Sequence, residues 1–502
     1  MSAALVRRLD ERLRGTPDAV AADVLADTVF LERKRLEASR DEPPEYEQTL
    51  DAAARAIAVG SRAAVDASLR SLTDRYAREI HNPFSPQTYH VATRVLPLLL
   101  TRLLSASRAR DLVLGDTDPS ARIRLSGPLD QIRALAKDRT LILAPTHVSN
   151  LDSPLIGYAL YAAGLPPFAY GAGLNLFSNP AMAWFMRRLG AYTVDRRKRN
   201  RLYKEVLKDY SVELLRRRCH SLFFPGGTRS RSGRLERRLK KGLLGTGLQA
   251  WQESLEEGRA DGDVFVVPCT LSVGLVLEAE TLIADSLAEE GKQRFIINDD
   301  EFSEPRTVLT FLRQLLRLDA AVHVRFGAPM DVAGNVVDDA GRSLDPAGRP
   351  VDRLGYVREA GRVVRDAQRD QVYTERVAER LADAYARDFV VQSTHLACWA
   401  AWRALRAARP GLDTWRLLRL RAGERAVARS AVVEAIGRAR AALGAQPTAL
   451  PATDDAALDE ALARFASFHR VRAVAAAADG RISLDPQLAL YYANRLDGYA
   501  LP

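Results

Sequence analysis

The stretch at residues 141–152, LILAPTHVSNLD, constrains the fold of this chain more than any other. Its first four residues are apolar, a short run that is typical of a buried strand. His147 follows soon after that run, and Asp152 comes five residues later. Ser153 and the proline after it predict a helix start with a hydroxyl cap. Because open α/β sheets bind ligands at the carboxyl ends of their strands, the pattern places a histidine and a carboxylate at such an edge.

The spacing of His147 and Asp152 suits general base catalysis. A carboxylate that accepts a hydrogen bond from Nδ1–H fixes the tautomer and direction of the imidazole ring and stabilises the imidazolium. The other ring nitrogen, Nε2, can then take a proton from a hydroxyl group. The same two residue types also occur as a polar turn residue and a helix cap, and the pair alone does not decide between the two interpretations.

Apolar runs recur through the middle of the chain and alternate with helical patterns. The predicted strands lie at residues 122–125, 140–144, 168–171, 191–194, 221–224, 264–268 and 321–326. Helical patterns lie between several of them, notably at 200–218 and 240–257. This alternation predicts an α/β fold with a mixed or parallel sheet flanked by helices. We expect a helical N-terminal region at 1–115, an α/β domain at 116–335 and a helical C-terminal region at 336–502.

The charge balance favours anionic partners. The 502 residues include 73 Lys and Arg against 63 Asp and Glu, a formal net charge of +10. Such an excess attracts nucleic acid, an acidic membrane face or a phosphorylated substrate. The chain has no RNA-binding signature, zinc-finger spacing or helix-turn-helix pattern, so we expect no nucleic-acid partner. Cys219, Cys269 and Cys398 are odd in number and widely spaced, which argues against a disulfide framework or a metal site and fits a reducing cytosol.

The hydropathy pattern predicts neither a secretory signal nor a membrane span. The first fifteen residues, MSAALVRRLDERLRG, are too charged for a signal peptide. A spanning helix would need about eighteen uninterrupted apolar residues, which no window offers. We therefore expect a cytoplasmic protein that binds peripherally to the inner face of the cell membrane, with anionic lipid as its partner.

Five further stretches lead from the histidine to a family. His-x4-Asp is the first motif of the glycerolipid acyltransferases. GAGLN at 171–175 and RRLGAY at 187–192 resemble the second block of their glycerol-3-phosphate acyltransferases, and FPGGTRSRSG at 224–233 resembles the third. VVP at 266–268 is similar to the fourth, and LYYANRL at 490–496 is similar to a Tyr-Tyr-x-Asn stretch of the larger members. The resemblance covers roughly residues 120–335 and implies the family's mixed sheet flanked by helices.

The resemblance also implies which residues form the site. His147 would be the catalytic base, oriented by Asp152. The remaining predicted residues would bind substrate, those of the third block through the phosphate of the acceptor: Gly171, Asn175, Arg188, Arg196, Gly227, Arg229, Ser230, Arg231 and Lys240. Tyr491, Tyr492 and Asn494 are expected to dock the C-terminal segment onto the core rather than touch substrate.

The third block has a physical reason to bind phosphate. Gly226 and Gly227 allow the backbone to approach a ligand closely, and arginine presents planar, bidentate donors to a phosphate. The alternative is a basic surface turn, since arginine is common throughout this chain. The sequence departs from the family at Gly226, where many members carry a glutamate, and this puts in doubt a carboxylate that would grip a glycerol hydroxyl.

The resemblance implies an acyltransferase that acts on glycerol 3-phosphate. A fatty acyl group would move from acyl-CoA or acyl-carrier-protein to the sn-1 hydroxyl, the first step of phospholipid synthesis, without a metal or redox cofactor. Val194-Asp195-Arg196 resembles the lysophosphatidate acyltransferases instead, which leaves 1-acylglycerol 3-phosphate and dihydroxyacetone phosphate open as acceptors. A non-catalytic lipid-binding protein on the same scaffold is a further alternative, against which the intact pair of His147 and Asp152 argues.

Overall fold

A mixed sheet organises the chain in the computed structural model, which describes residues 1–38, 43–91, 123–174, 180–259, 261–276, 278–290, 322–468 and 471–502. Ten strands form this sheet in the described residues: β1 (Ile123–Ser126), β2 (Thr140–Pro145), β3 (Ala169–Gly173), β4 (Ala191–Val194), β5 (Ser221–Leu222), β6 (Val264–Val273), β7 (Val322–Phe326), β8 (Met330–Asp331), β9 (Val336–Val337) and β10 (Ser343–Leu344). The spatial order is β10-β9-β8-β6-β2-β5-β3-β4, while β7 pairs with both β6 and β1. The predicted α/β class with a mixed sheet is confirmed.

Strand β2 lies in the middle of this sheet, and all six of its residues are buried. It runs parallel to β5 on one side and to β6 on the other, with Leu143 in register with both Leu222 and Val267. Strands β3 and β4 continue the parallel half, and β6 to β10 add antiparallel pairs. The carboxyl ends of β2, β5, β3 and β4 therefore share one edge, and the segments that follow them meet there.

Helices of the central region follow several of these strands. They are α5 (Leu129–Asp138), α6 (Asp152–Ala162), α7 (Pro180–Arg188), α8 (Arg201–Arg216), α9 (Lys241–Glu256) and α10 (Ala279–Glu290). The predicted hydroxyl cap at Ser153 is wrong, because α6 already begins at Asp152. Its N-cap residue, Leu151, has helical torsion angles, φ −74° and ψ −13°, and makes no side-chain cap. The Asp152 carboxylate instead accepts N–H groups of the preceding loop, and the helix begins two residues before Pro154, the predicted first helical residue.

Four helices precede the sheet in the described residues: α1 (Ser2–Arg14), α2 (Asp18–Ala38), α3 (Pro44–Val59) and α4 (Arg62–Ile80). They share a core of buried residues with α8, to which Leu25, Tyr76 and Tyr203 belong. Arg8 fastens this bundle to α9 through an ion pair with Glu253, with 2.6 Å between Nη2 and Oε1. The predicted boundary at 115 lies outside the described residues and stays a prediction.

The C-terminal region packs on the sheet and shares its core. Its helices are α11 (Ala367–Asp388), α12 (Ser393–Ala407), α13 (Thr414–Leu418), α14 (Arg429–Leu443), α15 (Asp454–Phe468) and α16 (Pro486–Ala493), with 3₁₀ turns at Arg353–Tyr356, Ala422–Glu424 and Asn494–Leu496. Short strands lie between them: β11 (Arg358–Glu359), β12 (Arg362–Val363), β13 (Val391–Gln392), β14 (Ala426–Val427), β15 (Thr448–Ala449), β16 (Val474–Ala476) and β17 (Ile482–Leu484). Val267 and Phe326 of the sheet belong to the same buried cluster as Leu396 and Tyr492. The region is thus mainly helical, with small sheets that the helical pattern did not predict.

Candidate active site

His147 and Asp152 meet in the loop between β2 and α6, at residues 146–152, which we call the base loop. His147 Nδ1 lies 2.8 Å from Asp152 Oδ2, and the Asp152 side chain is fully buried. The same Oδ2 atom accepts the backbone N–H groups of Val148, at 2.5 Å, and Ser149, at 2.9 Å. With Nδ1 bonded to the carboxylate, Nε2 is the nitrogen that can exchange a proton with a substrate.

The base loop is fixed by the segments on both sides of it. Thr146 is buried, and its backbone N–H donates to Cys269 O of β6 at 2.9 Å. The imidazole of His147 stacks on Phe224, with 4.2 Å between the ring centroids and 24° between the planes. The side chain of His147 keeps 16% of its surface exposed. The ring direction is therefore set before any substrate arrives, while one face of the site stays reachable.

The third block forms the segment after β5, residues 224–236, which we call the arginine loop. Gly227 has φ +79°, a conformation that side chains disfavour. A Cβ atom there would lie 2.6 Å from Cδ, Cε and Nζ of Lys240. The absence of a side chain lets Lys240 cross the turn, and its N–H donates to Pro225 O at 2.7 Å. The structure thus brings Lys240 to the arginine loop, where the resemblance placed it.

Arg229 and Ser230 connect the arginine loop to the base loop. The Arg229 guanidinium lies 3.3 Å from Oε1 of Glu278, which follows β6. Glu278 is nearly buried and also accepts the Ser149 hydroxyl at 3.0 Å. The Ser230 N–H donates to His147 O at 2.9 Å, and its hydroxyl donates to a backbone carbonyl of its own loop. A cation is thereby held beside the histidine.

Arg231 contacts the helix after Glu278. Its Nε lies 4.0 Å from Oδ2 of Asp285 on α10, and about a third of its side chain is exposed, 32%. Arg231 thus contacts α10, whereas Arg229 contacts Glu278, which also accepts a hydrogen bond from Ser149 of the base loop.

The residues of the second block lie at different places in the sheet. Gly171 lies within β3, and a Cβ atom there would be 3.1 Å from the Tyr192 ring, so its smallness serves packing. Arg196 follows β4 at the same edge as His147, but β4 is three strand spacings, about 14 Å, from β2. Arg188 ends α7 just before β4, at the amino-terminal edge, where its guanidinium lies 4.4 Å from the Trp184 ring centroid. Asn175 lies outside the described residues.

Three charged residues at this site were not predicted from the sequence, although Arg495 lies within the stretch at 490–496 that resembles the family. The Glu236 carboxylate accepts the backbone N–H of His147 at 2.8 Å. Burial and the nearby Asp152 raise the pKa of the Glu236 carboxyl to about 8. Glu278 joins the two loops, as described above. Arg495 is buried, and its guanidinium donates to the Tyr491 hydroxyl at 3.4 Å. Each belongs to a segment distant in sequence from His147, so spacing within the motifs could not reveal it.

The C-terminal segment closes over the arginine loop. Asn494 Nδ2 donates to Ser232 O at 2.8 Å. Gly233 has φ +79°, and its Cα faces the Tyr491 carbonyl so closely that a side chain would collide with it. The Tyr492 hydroxyl accepts the Val276 N–H at 3.0 Å. These contacts agree with the expectation that this segment docks onto the core.

Other histidines of the described chain are engaged in the framework. His220 Nδ1 accepts the Leu141 N–H at 3.0 Å, and burial lowers its pKa to about 4. His395 is fully buried and bonds to Gln392 N and Val273 O; burial lowers its pKa to about 3. Within the described ranges, no group of three or more His, Cys, Asp and Glu side chains could hold a metal ion. His147 differs from these two histidines in that its side chain is partly exposed and bonds to a carboxylate.

Comparison with known proteins gives a consistent family. A family model described as Acyltransferase matches residues 129–272, which span β2, both loops and most of β6. A glycerol-3-phosphate acyltransferase of Haemophilus ducreyi is 31% identical over 265 residues, 52% of this chain and 28% of the relative. The enzyme of that name from Pasteurella multocida is 34% identical over 206 residues, 41% of this chain and 23% of the relative. The matched part therefore spans less than a third of these relatives. The chain thus matches the acyltransferase family model over residues 129–272 and is similar to these glycerol-3-phosphate acyltransferases in the part it shares with them.

Proposed function

We propose that the protein transfers a fatty acyl group from acyl-CoA or acyl-carrier-protein to the sn-1 hydroxyl of glycerol 3-phosphate. The observation that carries the proposal is the contact of 2.8 Å between His147 Nδ1 and the buried Asp152 carboxylate. It supplies an oriented general base at the sheet edge where α/β enzymes bind their substrates. The relatives named glycerol-3-phosphate acyltransferase support this acceptor.

The chemistry follows from the two nitrogens of His147. Nε2 removes the proton from the acceptor hydroxyl, and the oxygen attacks the thioester carbonyl carbon. The tetrahedral intermediate collapses, the carbon–sulfur bond breaks, and the imidazolium returns its proton to the thiolate. Asp152 stabilises the imidazolium between these steps. General base catalysis of this kind typically contributes about 10²–10⁴ in rate.

The cations of the arginine loop would bind the acceptor phosphate. Arg229 lies beside the base loop, and the Lys240 side chain crosses Gly227 next to it. Arg231 lies on the same loop. A guanidinium has five N–H donors, so Arg229 can keep its contact with Glu278 and still present an edge to phosphate. A charge-assisted bond of this type is worth about 1.5–3 kcal/mol.

Two other acceptors use the same chemistry. The turn Val194-Asp195-Arg196 lies at the carboxyl end of β4, on the same sheet edge, and favours 1-acylglycerol 3-phosphate. Dihydroxyacetone phosphate offers the same phosphate with a ketone in place of one hydroxyl. A non-catalytic lipid-binding protein would have no use for a buried carboxylate behind an exposed imidazole nitrogen.

The experiment is a radiolabelled acyl-transfer assay with each of the three acceptors. We expect the highest kcat/KM with glycerol 3-phosphate and no loss in EDTA, since the chemistry needs no metal or redox cofactor. The His147→Ala variant should lose acyl transfer while its melting temperature stays near that of the wild type. The exposed His90, changed to alanine, serves as a matched control. A folded His147→Ala variant with normal turnover would refute the mechanism.

We also propose that the protein binds anionic membrane surfaces peripherally, at the inner face of the cell membrane. The net charge of +10 supports this, and the product would be a lipid. None of the helices in the described ranges is long and apolar enough to cross a bilayer. Flotation with vesicles containing anionic lipid should show binding that weakens with salt, because attraction between surface charges is screened within about 10 Å at 0.1 M. Binding that survives high salt and a carbonate wash would contradict it.

A further inference from the structure

The turn of the arginine loop contains a glycine, and the side chain of another residue occupies the space that a side chain on this glycine would fill. A Cβ atom on Gly226 would lie 2.5 Å from Cδ, 2.6 Å from Oε2 and 2.8 Å from Oε1 of Glu236. All three distances involve the carboxyl group itself, so the carboxyl occupies the space that any side chain at 226 would enter. Glu236 and Gly226 therefore fit each other as a matched pair.

The two oxygens of this carboxyl differ in their surroundings. Oε1 accepts the backbone N–H of His147 at 2.8 Å. Oε2 is buried, with no hydrogen-bond partner among the described residues. A buried carboxylate oxygen without a hydrogen-bond partner destabilises the folded state. The free-energy cost is much smaller when the carboxyl group is protonated.

The charged and titratable groups that face Glu236 come from four elements. Asp152 of α6 raises the pKa of the Glu236 carboxyl, and Arg495 of the C-terminal 3₁₀ turn lowers it less than burial raises it. Tyr385 of α11 is buried, and burial together with the nearby Glu236 raises the pKa of the Tyr385 hydroxyl. This hydroxyl donates to Ala144 O at 2.9 Å. His147 is the fourth neighbour. Together these groups and burial raise the pKa of the Glu236 carboxyl to about 8, so this carboxyl is neutral at pH 7.

We propose that Glu236 is a positioning residue of the acyl-transfer site, which holds the His147 backbone through the space that Gly226 leaves open. This rests on the proposed function. The carboxyl that many family members carry on the turn itself is here supplied from ten positions later. The consequence is a coupling: a side chain at 226 is incompatible with Glu236, and loss of Glu236 releases the N–H group next to the catalytic imidazole.

The first test measures this coupling without using acyl transfer. We compare thermal unfolding of the wild type, Gly226→Ala, Glu236→Ala and the double variant. Gly226→Ala should lower the melting temperature in the wild-type background, because its Cβ meets the carboxyl, and have little effect once Glu236 is alanine. Equal effects of Gly226→Ala in both backgrounds would overturn the proposal, whether or not the protein transfers acyl groups.

The second test separates positioning from a purely structural role. Glu236→Ala should lower kcat, by about 10²-fold if the imidazole shifts by 1 Å, with little change in the acceptor KM. Glu236→Gln should keep kcat within a few-fold at pH 7, because the amide oxygen still accepts the His147 N–H. Ionisation of Glu236 adds a charge beside Asp152 and His147, so the pH profile of kcat should show an inflection near pH 8 that Glu236→Gln lacks.

Three results would overturn the proposal. They are a Glu236→Ala variant with unchanged kcat, a Glu236→Gln variant as impaired as the alanine variant, and identical pH profiles for the wild type and Glu236→Gln. The wild-type assay with glycerol 3-phosphate runs in parallel, so failure of the proposed function is recognised separately from failure of this inference.

Discussion

The base loop and the arginine loop leave neighbouring strands at the same edge of the sheet, yet they are held in opposite ways. In the base loop, Asp152 Oδ2 accepts three donors at once and the side chain is fully buried. In the arginine loop, Arg229 and Arg231 are partly exposed and contact carboxylates of other segments at 3.3 and 4.0 Å. The proposed general base is fixed in advance, whereas the proposed anion ligands keep contacts that a ligand can replace.

The largest expected effect comes from weakening the contacts that hold the base loop. Asp152→Asn removes the charge that stabilises the imidazolium and should lower kcat by roughly 10²–10⁴. Asp331→Asn is the matched control, because Asp331 is also fully buried and accepts two backbone N–H groups and the Ser343 hydroxyl, in a hairpin away from the site. Both variants should melt earlier, and steady-state kinetics should show loss of kcat for Asp152→Asn alone. A comparable loss of kcat in both would mean that the contrast between the loops is one of stability.

A smaller effect is expected from removing an exchangeable cation. Arg229→Ala should raise the acceptor KM about 10- to 150-fold, the equivalent of about 1.5–3 kcal/mol, because phosphate is bound alike in the ground and transition states. Arg231→Ala should act in the same direction. A lysine at 229 should recover part of the loss, since it keeps the charge without the planar fork.

The control for these arginines lies on the same loop. Arg234 is exposed and pairs with Asp497 at 3.0 Å, and Arg234→Ala should leave the acceptor KM unchanged. The KM for the acyl donor should move little in any of the three variants. If neither Arg229→Ala nor Arg231→Ala changes the acceptor KM, the anion site must be sought elsewhere on the same edge of the sheet, at Lys240 or Arg196.

Two adjacent lysines sharpen the comparison further. Lys240 crosses the Gly227 turn, while Lys241 pairs with Glu375 at 2.7 Å. Lys240→Ala should raise the acceptor KM by a few-fold up to about 10-fold, as expected for a hydrated point charge. Lys241→Ala should not change it. Equal acceptor KM values for the two variants would remove Lys240 from the site.

The last effect concerns stability and its dependence on pH, not catalysis. The raised pKa of Glu236 means that the folded protein holds a proton there that the unfolded chain has released. Its contribution to stability is therefore present at low pH and is lost as the pH rises toward about 8, by at most about 1.4 kcal/mol per pH unit. Urea unfolding at pH 6 and pH 8 should show Glu236→Gln gaining stability relative to the wild type. A constant difference would show that Glu236 ionises normally.

The strands and the contact between His147 and Asp152 were predictable because their signals are local. The buried run at β2 and the positions of His147 and Asp152 needed only apolar periodicity and a short spacing. The start of α6 was predicted wrongly, since Asp152 serves the loop before it as well as the helix. Glu236, Glu278 and Arg495 were missed because their contacts with the site depend on how distant segments pack. The placement of Arg188 at the opposite edge depends on strand order, which local patterns do not encode.

The contact between the C-terminal segment and the arginine loop has a consequence for how the protein is made. Ser232 meets Asn494 across 262 positions, and Gly233 meets the Tyr491 carbonyl across a similar span. A ribosome that has finished the sheet still holds back the residues that close over the arginine loop. The arginine loop of the nascent chain therefore stays uncovered until that segment emerges, and chaperones would meet it in this state.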